Sequence, residues 1–159
     1  MLRWWLGPSV LRVVFLALVS CLAACDPQQE RPGWVAEARL GIFYGGQIQE
    51  RQELPRVFEA AKQSQGFRVV LREPLKSDVS VRWQVEKPSA GKALHVTRVG
   101  ESVLRAGQTR LDQSVSFEPG DPEGLWNVRV LVGDELVIDR PWLVYDPAAR
   151  RRAASAAQH

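Results

Sequence analysis

Apolar and polar side chains alternate one by one through residues 79–86, VSVRWQVE, so that three valines and a tryptophan fall on every second position. Successive side chains of a β-strand point to opposite faces of its sheet. We therefore predict that Val81 and Trp83 face a core while Arg82 and Gln84 face water. This pattern is typical of an antiparallel strand with one solvated face.

The longest alternating stretch is residues 124–145, GLWNVRVLVGDELVIDRPWLVY, which predicts two strands folded back on each other. Gly133 and Asp134 lie at the reversal, because Gly and Asp tolerate a positive φ. A three-residue loop, Gly133 to Glu135, matches apolar residues across the hairpin better than a two-residue loop, which would set Val128 against Asp139. The predicted pairs are Val132 with Leu136, Val130 with Ile138 and Trp126 with Trp142.

Shorter segments rich in β-forming residues precede this hairpin. Further strands are predicted over residues 34–44, 66–71, 93–99, 102–105 and 111–117, an edge strand or loop over 47–53, and a helical turn or two over 56–64. No helix long enough for a parallel crossover lies between these strands, and the turns recur at spacings typical of sandwiches. We therefore predict an all-β domain over residues 34–146. It is expected to be an antiparallel immunoglobulin-like sandwich of about seven strands, with Trp83 and Trp126 in the core. Residues 147–159 contain no large apolar residue and are predicted to be a disordered tail.

The N-terminus has the pattern of an export signal. Arg3 and Arg12 lie in the first twelve residues, and the apolar run VVFLALVS follows at 13–20. A positive segment followed by a short apolar run is typical of a secretory signal. This run is too short to cross a bilayer, which requires about 20 apolar residues.

The end of this segment, Leu22-Ala23-Ala24-Cys25, resembles the bacterial lipoprotein signal. The resemblance implies cleavage before Cys25 and a multiply acylated, palmitate-bearing cysteine, and several acyl chains give stable attachment. Leu18-Val19-Ser20-Cys21 also fits, but the residues before Cys25 are smaller. We therefore predict a signal peptide over 1–24 and a polar tether over 25–33. The protein would be anchored by lipid at the cell membrane and face the periplasm, with inner and outer membrane both open.

Charge and cysteine content narrow the possible functions. The 159 residues carry 21 basic and 18 acidic side chains, and removal of Arg3 and Arg12 with the signal leaves 19 basic side chains. This near-neutral balance gives no electrostatic case for nucleic-acid binding. No cysteine follows Cys25, so the domain has no disulfide and no cysteine nucleophile. Neither a phosphate loop nor a dinucleotide motif is present, and no cofactor is predicted.

Two segments together resemble an uncharacterised bacterial family, a domain of unknown function of the 3859 type. Leu40-Gly41-Ile42-Phe43-Tyr44 looks like the early Gly-Ile-Tyr strand of that family, with Phe43 where the family often has Tyr. Gly124-Leu125-Trp126-Asn127-Val128, followed by Trp142-Leu143-Val144, looks like its terminal hairpin. The likeness runs from about Trp34 to Tyr145. It implies an immunoglobulin-like sandwich and brings no site residues, because the family has no established activity.

Three polar side chains are candidates for catalysis. His95 has no second histidine before the terminal His159 to complete a metal site, so we expect it to be an ordinary strand or turn residue. Ser114 and Ser116 alternate on a predicted strand, but an activated serine needs an adjacent base and an oxyanion hole. The sequence around them shows neither feature, and we predict that the protein is not an enzyme.

Two charged segments could bind ions or lipids. Glu118, Asp121 and Glu123 form an acidic loop whose oxygens could hold calcium, although two prolines and two glycines in residues 118–124 indicate a turn first. The triple-arginine run 150–152 could touch anionic lipid headgroups. A solvated tail is the simpler interpretation of this run.

These features together predict a binding module that catalyses nothing. Recognition is expected on the outer face or on an exposed edge strand, where unpaired backbone groups can add a strand of a partner. The alternative is a module that binds glycan or another envelope polymer through surface aromatic residues, with Trp34, Tyr44 and Trp142 as candidates. The third possibility is a hydrolase whose site is assembled from separated residues.

Overall fold

The computed structural model describes residues 32–58, 63–89 and 94–157. The predicted signal, Cys21 and Cys25 lie outside these ranges. The described residues form nine strands and one helix, joined by turns and loops. They are β1 Val35–Tyr44, β2 Gln47–Glu50, β3 Glu53–Pro55, β4 Ser64–Leu71, β5 Val79–Pro88, β6 Leu94–Leu104, β7 Arg110–Ser114, β8 Gly124–Val132, β9 Glu135–Tyr145 and α1 Pro147–Ala156.

The strands form two sheets that pack face to face. One sheet has the order β2-β1-β4-β7 and the other has the order β3-β9-β8-β5-β6. All neighbours are antiparallel except β3 and β9, which run parallel over three residue pairs. This arrangement confirms the predicted all-β immunoglobulin-like sandwich. The edge strands are β2 and β7 in the first sheet and β3 and β6 in the second.

The core lies between the two sheets and is built from the inward residues of each strand. Val81 and Val85 of β5 are fully buried, as their alternation predicts. Trp126 is also fully buried, and burial of such an aromatic side chain contributes roughly 2–3 kcal/mol. Trp83 is only half-buried, and it lies next to the edge strand β6, opposite Gly100. Its ring meets the Phe67 ring edge-on, with the two ring centres 6.5 Å apart.

The β8–β9 hairpin confirms two of the three predicted pairs. Trp126 lies opposite Trp142, and Val130 lies opposite Ile138. The prediction for the residues next to the turn is wrong, because Val132 pairs with Glu135 and the loop has two residues, not three. Gly133 opens this loop with φ of 61°, a conformation that glycine adopts without strain.

A β-bulge reconciles the short loop with the tryptophan pair. Leu131 lies opposite Leu136 and Val130 lies opposite Ile138, so Val137 is an extra residue in β9. An extra residue shifts the register by one position and moves the following side chains to the other face. Val137 is therefore buried beside Ile138, whereas Leu136 is only partly buried.

One long strand, β6, replaces the two weak strands predicted around Gly100. Glycine usually weakens a strand, but here the indole of Trp83 covers it. A Cβ added to Gly100 would lie 2.1 Å from Cζ2 of that ring. The absence of a side chain at this position is what allows the Trp83 ring to lie against the β6 backbone. The predicted helical turns over 56–64 are also wrong at both ends, since residues 56–58 are irregular and Ser64 begins β4; residues 59–62 are not described.

The predicted disordered tail is instead a helix, α1. The Asp146 side chain accepts a hydrogen bond from the Ala148 amide at 2.7 Å, and Pro147 occupies the first turn, where its missing N–H costs nothing. Arg150 reaches back to Glu53 and lies 4.1 Å from the centre of the Tyr145 ring. None of the helix residues is buried. Across the described ranges, no helix is both long and apolar enough to cross a membrane.

Candidate functional site

The aromatic side chains predicted as a binding platform do not come together. Trp34 is half-buried just before β1, and its indole N–H donates to Glu135 at 3.0 Å. Tyr44 ends the same strand and is 75% exposed. The two positions are ten residues apart along the strand, a distance of roughly 30 Å. They cannot stack on one glycan ring system.

The prediction that Trp142 lies at the surface is wrong. Trp142 is 1% exposed and packs in the core opposite Trp126. Trp142 lies on the same inward face of β9 as Ile138 and Val144. The alternation along the strand therefore determines where its side chain points, although the residue is near the strand end. The glycan alternative therefore loses one of its three side chains and the geometry of the other two.

The acidic loop is occupied by cationic side chains of the same chain. Arg98 pairs with Glu118, and Lys87 pairs with Asp121 in a buried contact. Arg56 pairs with Glu123 at 3.2 Å. Each carboxylate turns to a different basic side chain rather than to a shared centre. The calcium hypothesis for these three residues is therefore not supported by their geometry.

Further contacts fix the backbone of residues 118–123, which we name the anchored loop. The Asp121 carboxylate accepts from the Glu118 amide at 2.8 Å, and Arg56 donates to the Asp121 carbonyl at 2.6 Å. Trp126 donates its indole N–H to the Pro122 carbonyl at 3.0 Å. The Lys87 ammonium lies 4.8 Å from the centre of the Trp126 ring, a cation–π distance. This loop closes one end of the core and offers no open site.

The predicted serines line a small cavity of about 120 Å³ next to the anchored loop. The hydroxyl of Ser114 lies 3.0 Å from the hydroxyl of Ser64, and Ser116 lies nearby in the same wall. None of the described residues lining this cavity carries a titratable side chain. His95 is exposed on β6 and is not among them. These serines therefore have no described general base.

The outer side of β6 is one of the two edges of the five-stranded sheet. Val81 of β5 lies opposite Ser102, and Trp83 lies opposite Gly100. On the other side of β5, the Ser80 carbonyl accepts from the Gly133 amide at 2.7 Å. Backbone groups of alternate strand residues point in opposite directions within the sheet. Ser80 thus turns its groups toward β8, and Val81 and Trp83 turn theirs toward β6.

The alternation continues into β6 and determines which backbone groups are free. Gly100 and Ser102 turn their N–H and C=O groups toward β5, so Val99, Glu101 and Val103 turn theirs outward. We name these three residues the β6 edge. Their side chains are exposed, most of all Val99 at 72%. The candidate site is therefore a row of free backbone donors and acceptors flanked by apolar, acidic and apolar side chains.

A shallow groove runs along the outer face beside the β6 edge. Its volume is about 410 Å³, and its walls include Arg82 and Gln84 of β5 and Leu131 of β8. Arg82 is turned away along the sheet, where it donates to Asp134 at 2.8 Å and to the Gly133 carbonyl at 3.1 Å. The groove thus combines the apolar side chains of Val99 and Leu131 with the Gln84 amide and the Glu101 carboxylate.

Sequence reasoning predicted an edge strand as the binding element but did not identify which strand. The sequence contains a partial signal, since the apolar residues Val99 and Val103 lie two positions on either side of Glu101. Sheet order depends on pairings between distant segments, which local patterns do not contain. The other predicted chemistry, the lipidation of Cys25, lies outside the described residues.

No protein-family model matches the chain, and no curated protein matches it, so the resemblance to the 3859-type family stays a prediction. An immunoglobulin-like protein from Pseudomonas aeruginosa has a similar solved structure, with a TM-score of 0.50 and 20% identity over 70% of this chain and 94% of that chain. An alkylpurine DNA glycosylase from Pseudomonas fluorescens, bound to DNA containing an abasic site analog, has a TM-score of 0.38. It is 17% identical, and the match covers 69% of this chain and 30% of that chain, so we draw no conclusion about fold or function from it. The first likeness and the two-sheet topology show that the chain has an immunoglobulin-like fold.

Proposed function

We propose that this chain is a lipid-anchored, periplasm-facing module that catalyses nothing. It binds a partner protein by pairing a strand of the partner with the β6 edge. One observation carries the proposal: β6 is an edge strand of eleven residues whose middle turns unpaired backbone groups to solvent. An extended segment can continue the sheet there through main-chain hydrogen bonds, while its side chains meet those of the edge.

The other edges are less suited to strand addition. The edge strands β2, β3 and β7 have four, three and five residues. Short strands are one way in which proteins limit pairing at a sheet edge. β7 also carries Asp112, which pairs with Arg68 and Arg110 across the outer face. The long β6 strand supports the proposal by this contrast.

The absence of catalysis is supported by the occupied acidic groups. A catalytic site needs titratable side chains that converge on an open pocket. The three carboxylates of the anchored loop converge on basic side chains instead. The serine cavity has a hydroxyl pair but no described base.

The anchoring part of the proposal is based on the sequence before Trp34. The tether over 25–33 would enter the domain beside the β8–β9 turn, where Trp34 contacts Glu135. The β6 edge runs along the side of the sandwich, parallel to the strands, and stays accessible in this arrangement. Replacing Cys25 by alanine should abolish incorporation of labelled fatty acid, whereas Cys21→Ala should leave it unchanged. Label that still enters the Cys25→Ala protein would move the assignment to Cys21.

Site-specific photocrosslinking in cells tests the binding function. A photoreactive amino acid placed at Val99 should crosslink a partner, and the same amino acid at Tyr44, which is equally exposed but distant, should not. Adding Val103→Pro should reduce the Val99 crosslink by more than about tenfold, because proline removes an outward N–H while an edge strand tolerates it. Val103→Thr is the matched control that keeps the amide. A crosslink at Val99 that survives the proline would contradict strand addition.

A further inference from the structure

We infer that the β6 edge selects an extended protein segment in which a basic residue lies between two apolar residues at alternate positions. This inference depends on the function proposed above, because it names the partner chemistry of the same edge. It is based on the charge of Glu101, on the ion pairs made by the other strand carboxylates, and on the two valines that flank Glu101.

Glu101 lies at the centre of the edge with no cationic partner among the described residues. Its carboxylate accepts a hydrogen bond from the Ser80 hydroxyl at 2.7 Å, and this donor is neutral. Arg82 is directly opposite on β5, but its guanidinium is held by Asp134. The carboxylate therefore makes no ion pair within the described chain, and it lies next to a row of free backbone groups.

Almost every other carboxylate on a described strand is neutralised within the chain. The pairs are Glu37 with Arg39, Glu50 with Arg140, Glu53 with Arg150, Glu86 and Asp139 with Arg129, and Asp112 with Arg68. Glu135 is the other exception, and it accepts the indole N–H of Trp34. Glu101 thus differs from the rest by being unpaired at the position where a new strand would be added.

Strand addition converts this charge into a preference for particular side chains. Residues directly opposite each other in an antiparallel pair have Cβ atoms about 5 Å apart, and opposite charges there are favourable. A partner with Lys or Arg opposite Glu101 would place apolar residues opposite Val99 and Val103 if its sequence reads apolar, any, basic, any, apolar. The aliphatic stem of the basic side chain could lie along the groove next to Leu131, since such stems pack on apolar surface.

A second copy of this chain fits the edge poorly. Antiparallel pairing of two β6 strands that matches Val99 with Val103 of the copy also sets Glu101 against Glu101 of the copy. Like charges directly opposite are destabilising. The same carboxylate that favours a basic partner therefore disfavours self-association along this edge.

Two synthetic heptapeptides, Thr-Val-Thr-Lys-Thr-Val-Thr and its analogue with Glu in place of Lys, test the preference. They are titrated into the isotope-labelled mature chain, and amide shifts of the β6 edge are followed by NMR. The Lys peptide should bind at least about fivefold more tightly than the Glu peptide. Glu101→Lys should reverse the order. Glu73→Lys, an exposed loop change of equal charge, should leave it unchanged.

Equal affinities of the two peptides for the wild-type chain would overturn the inference while leaving strand addition intact. Absence of shifts at Val99, Glu101 and Val103 with either peptide would overturn it as well. Failure of the proposed function is a separate result, namely a Val99 crosslink that Val103→Pro does not weaken. If Glu101→Lys does not fold, Glu101→Gln serves instead and should bring the two affinities together.

Discussion

The two edges of the five-stranded sheet differ in how the chain treats them. On one side, residues 52–56 run alongside the end of β9, where the Leu143 amide donates to the Gln52 carbonyl and the Arg56 amide donates to the Tyr145 carbonyl, each at 2.8 Å. The ion pair of Arg150 with Glu53 adds a contact from α1. On the other side, nothing in the described chain pairs with the outward groups of β6. We refer to the first side, where residues 52–56 pair with β9, as the covered edge.

The difference between the two sides arises from the path of the chain between the sheets. The two sides also differ in burial, since β9 buries Ile138, Trp142 and Val144, whereas Leu104 is the β6 residue that lies in the core. The covered edge exists because the chain crosses from β2 in one sheet to β3 in the other. The β6 edge is free because the following segment enters β7 in the opposite sheet. Edge exposure is thus a property of topology, and mutations in the two regions should have different consequences.

The largest effect is expected for Trp142→Ala on β9, next to the covered edge. Removing a fully buried tryptophan should lower the free energy of unfolding by about 3–5 kcal/mol, measured by urea denaturation. Trp142→Phe should cost much less, since the indole N–H has no hydrogen-bond partner in the described structure. Trp34→Ala is the surface comparison, and a loss there as large as at Trp142 would mean that the assignment of core and rim is wrong.

Gly100→Ala at the centre of β6 should have the next largest effect. The new methyl group would meet the Trp83 ring at 2.1 Å, and overpacking of this kind costs about 1–3 kcal/mol. Gly33→Ala is the matched control, because no atom lies within 4 Å of its added Cβ. In a Trp83→Leu background, Gly100→Ala should lower the free energy of unfolding by less than it does in the wild-type chain, because the ring that the methyl group meets has been removed. No coupling between the two changes in a double-mutant cycle would contradict the contact.

A smaller, local effect is expected at the start of α1. Asp146→Ala removes the side-chain acceptor for the Ala148 amide, a change that costs a helix about 1 kcal/mol. Hydrogen exchange of the α1 amides should accelerate, whereas the unfolding midpoint of the sandwich should hardly move because α1 buries nothing. Asp146→Asn retains a capping oxygen and should keep most of the protection. A large fall in the global midpoint would show that α1 stabilises the sandwich more than its contacts indicate.

The smallest effect concerns acid. The hydrogen bond from Arg150 lowers the pKa of Glu53, and the hydrogen bond from the Ala148 amide lowers the pKa of Asp146. A carboxyl group whose folded pKa is lowered stabilises the folded form above its unfolded pKa, about 4 here, and this stabilisation is lost as the pH falls through the folded value. Contacts at the covered edge should therefore loosen below about pH 4, seen as earlier exchange of α1 amides. The double variant Glu53→Gln, Asp146→Asn should lose this pH dependence, and an unchanged profile would contradict it.

Much of the strand pattern could be predicted from the sequence because alternation is a local property. The pairing of Trp126 with Trp142 followed from matching apolar residues across a turn. The bulge at Val137 could not be predicted, since one inserted residue costs little and leaves the apolar composition of both strands unchanged. The local sequence predicts a break at Gly100, because the Trp83 ring that covers this glycine lies on a different strand.

The candidate site was predictable in kind but not in position. The alternation that pairs Trp142 with Trp126 also predicts that Trp142 lies on the inward face, and in the structure this pattern outweighs its position near a strand end. The helix α1 had a usable signal in Asp146-Pro147 followed by alanines, which are strong helix formers. The sequence near Glu101 does not show that this carboxylate lacks an ion-pair partner among the described residues. This depends on the pairing of Arg82 with Asp134 of a distant turn.

The anchored loop bears on how this sandwich could be redesigned. Antibody variable domains carry their variable sequences in the loops at one end of the fold. Here, replacing residues 118–123 would leave Lys87 without its carboxylate in the interior, and an uncompensated buried charge is strongly destabilising. Loop grafting at this end should therefore fail for reasons unrelated to the inserted sequence. A library that varies the exposed side chains of β6 would leave the interior charges paired.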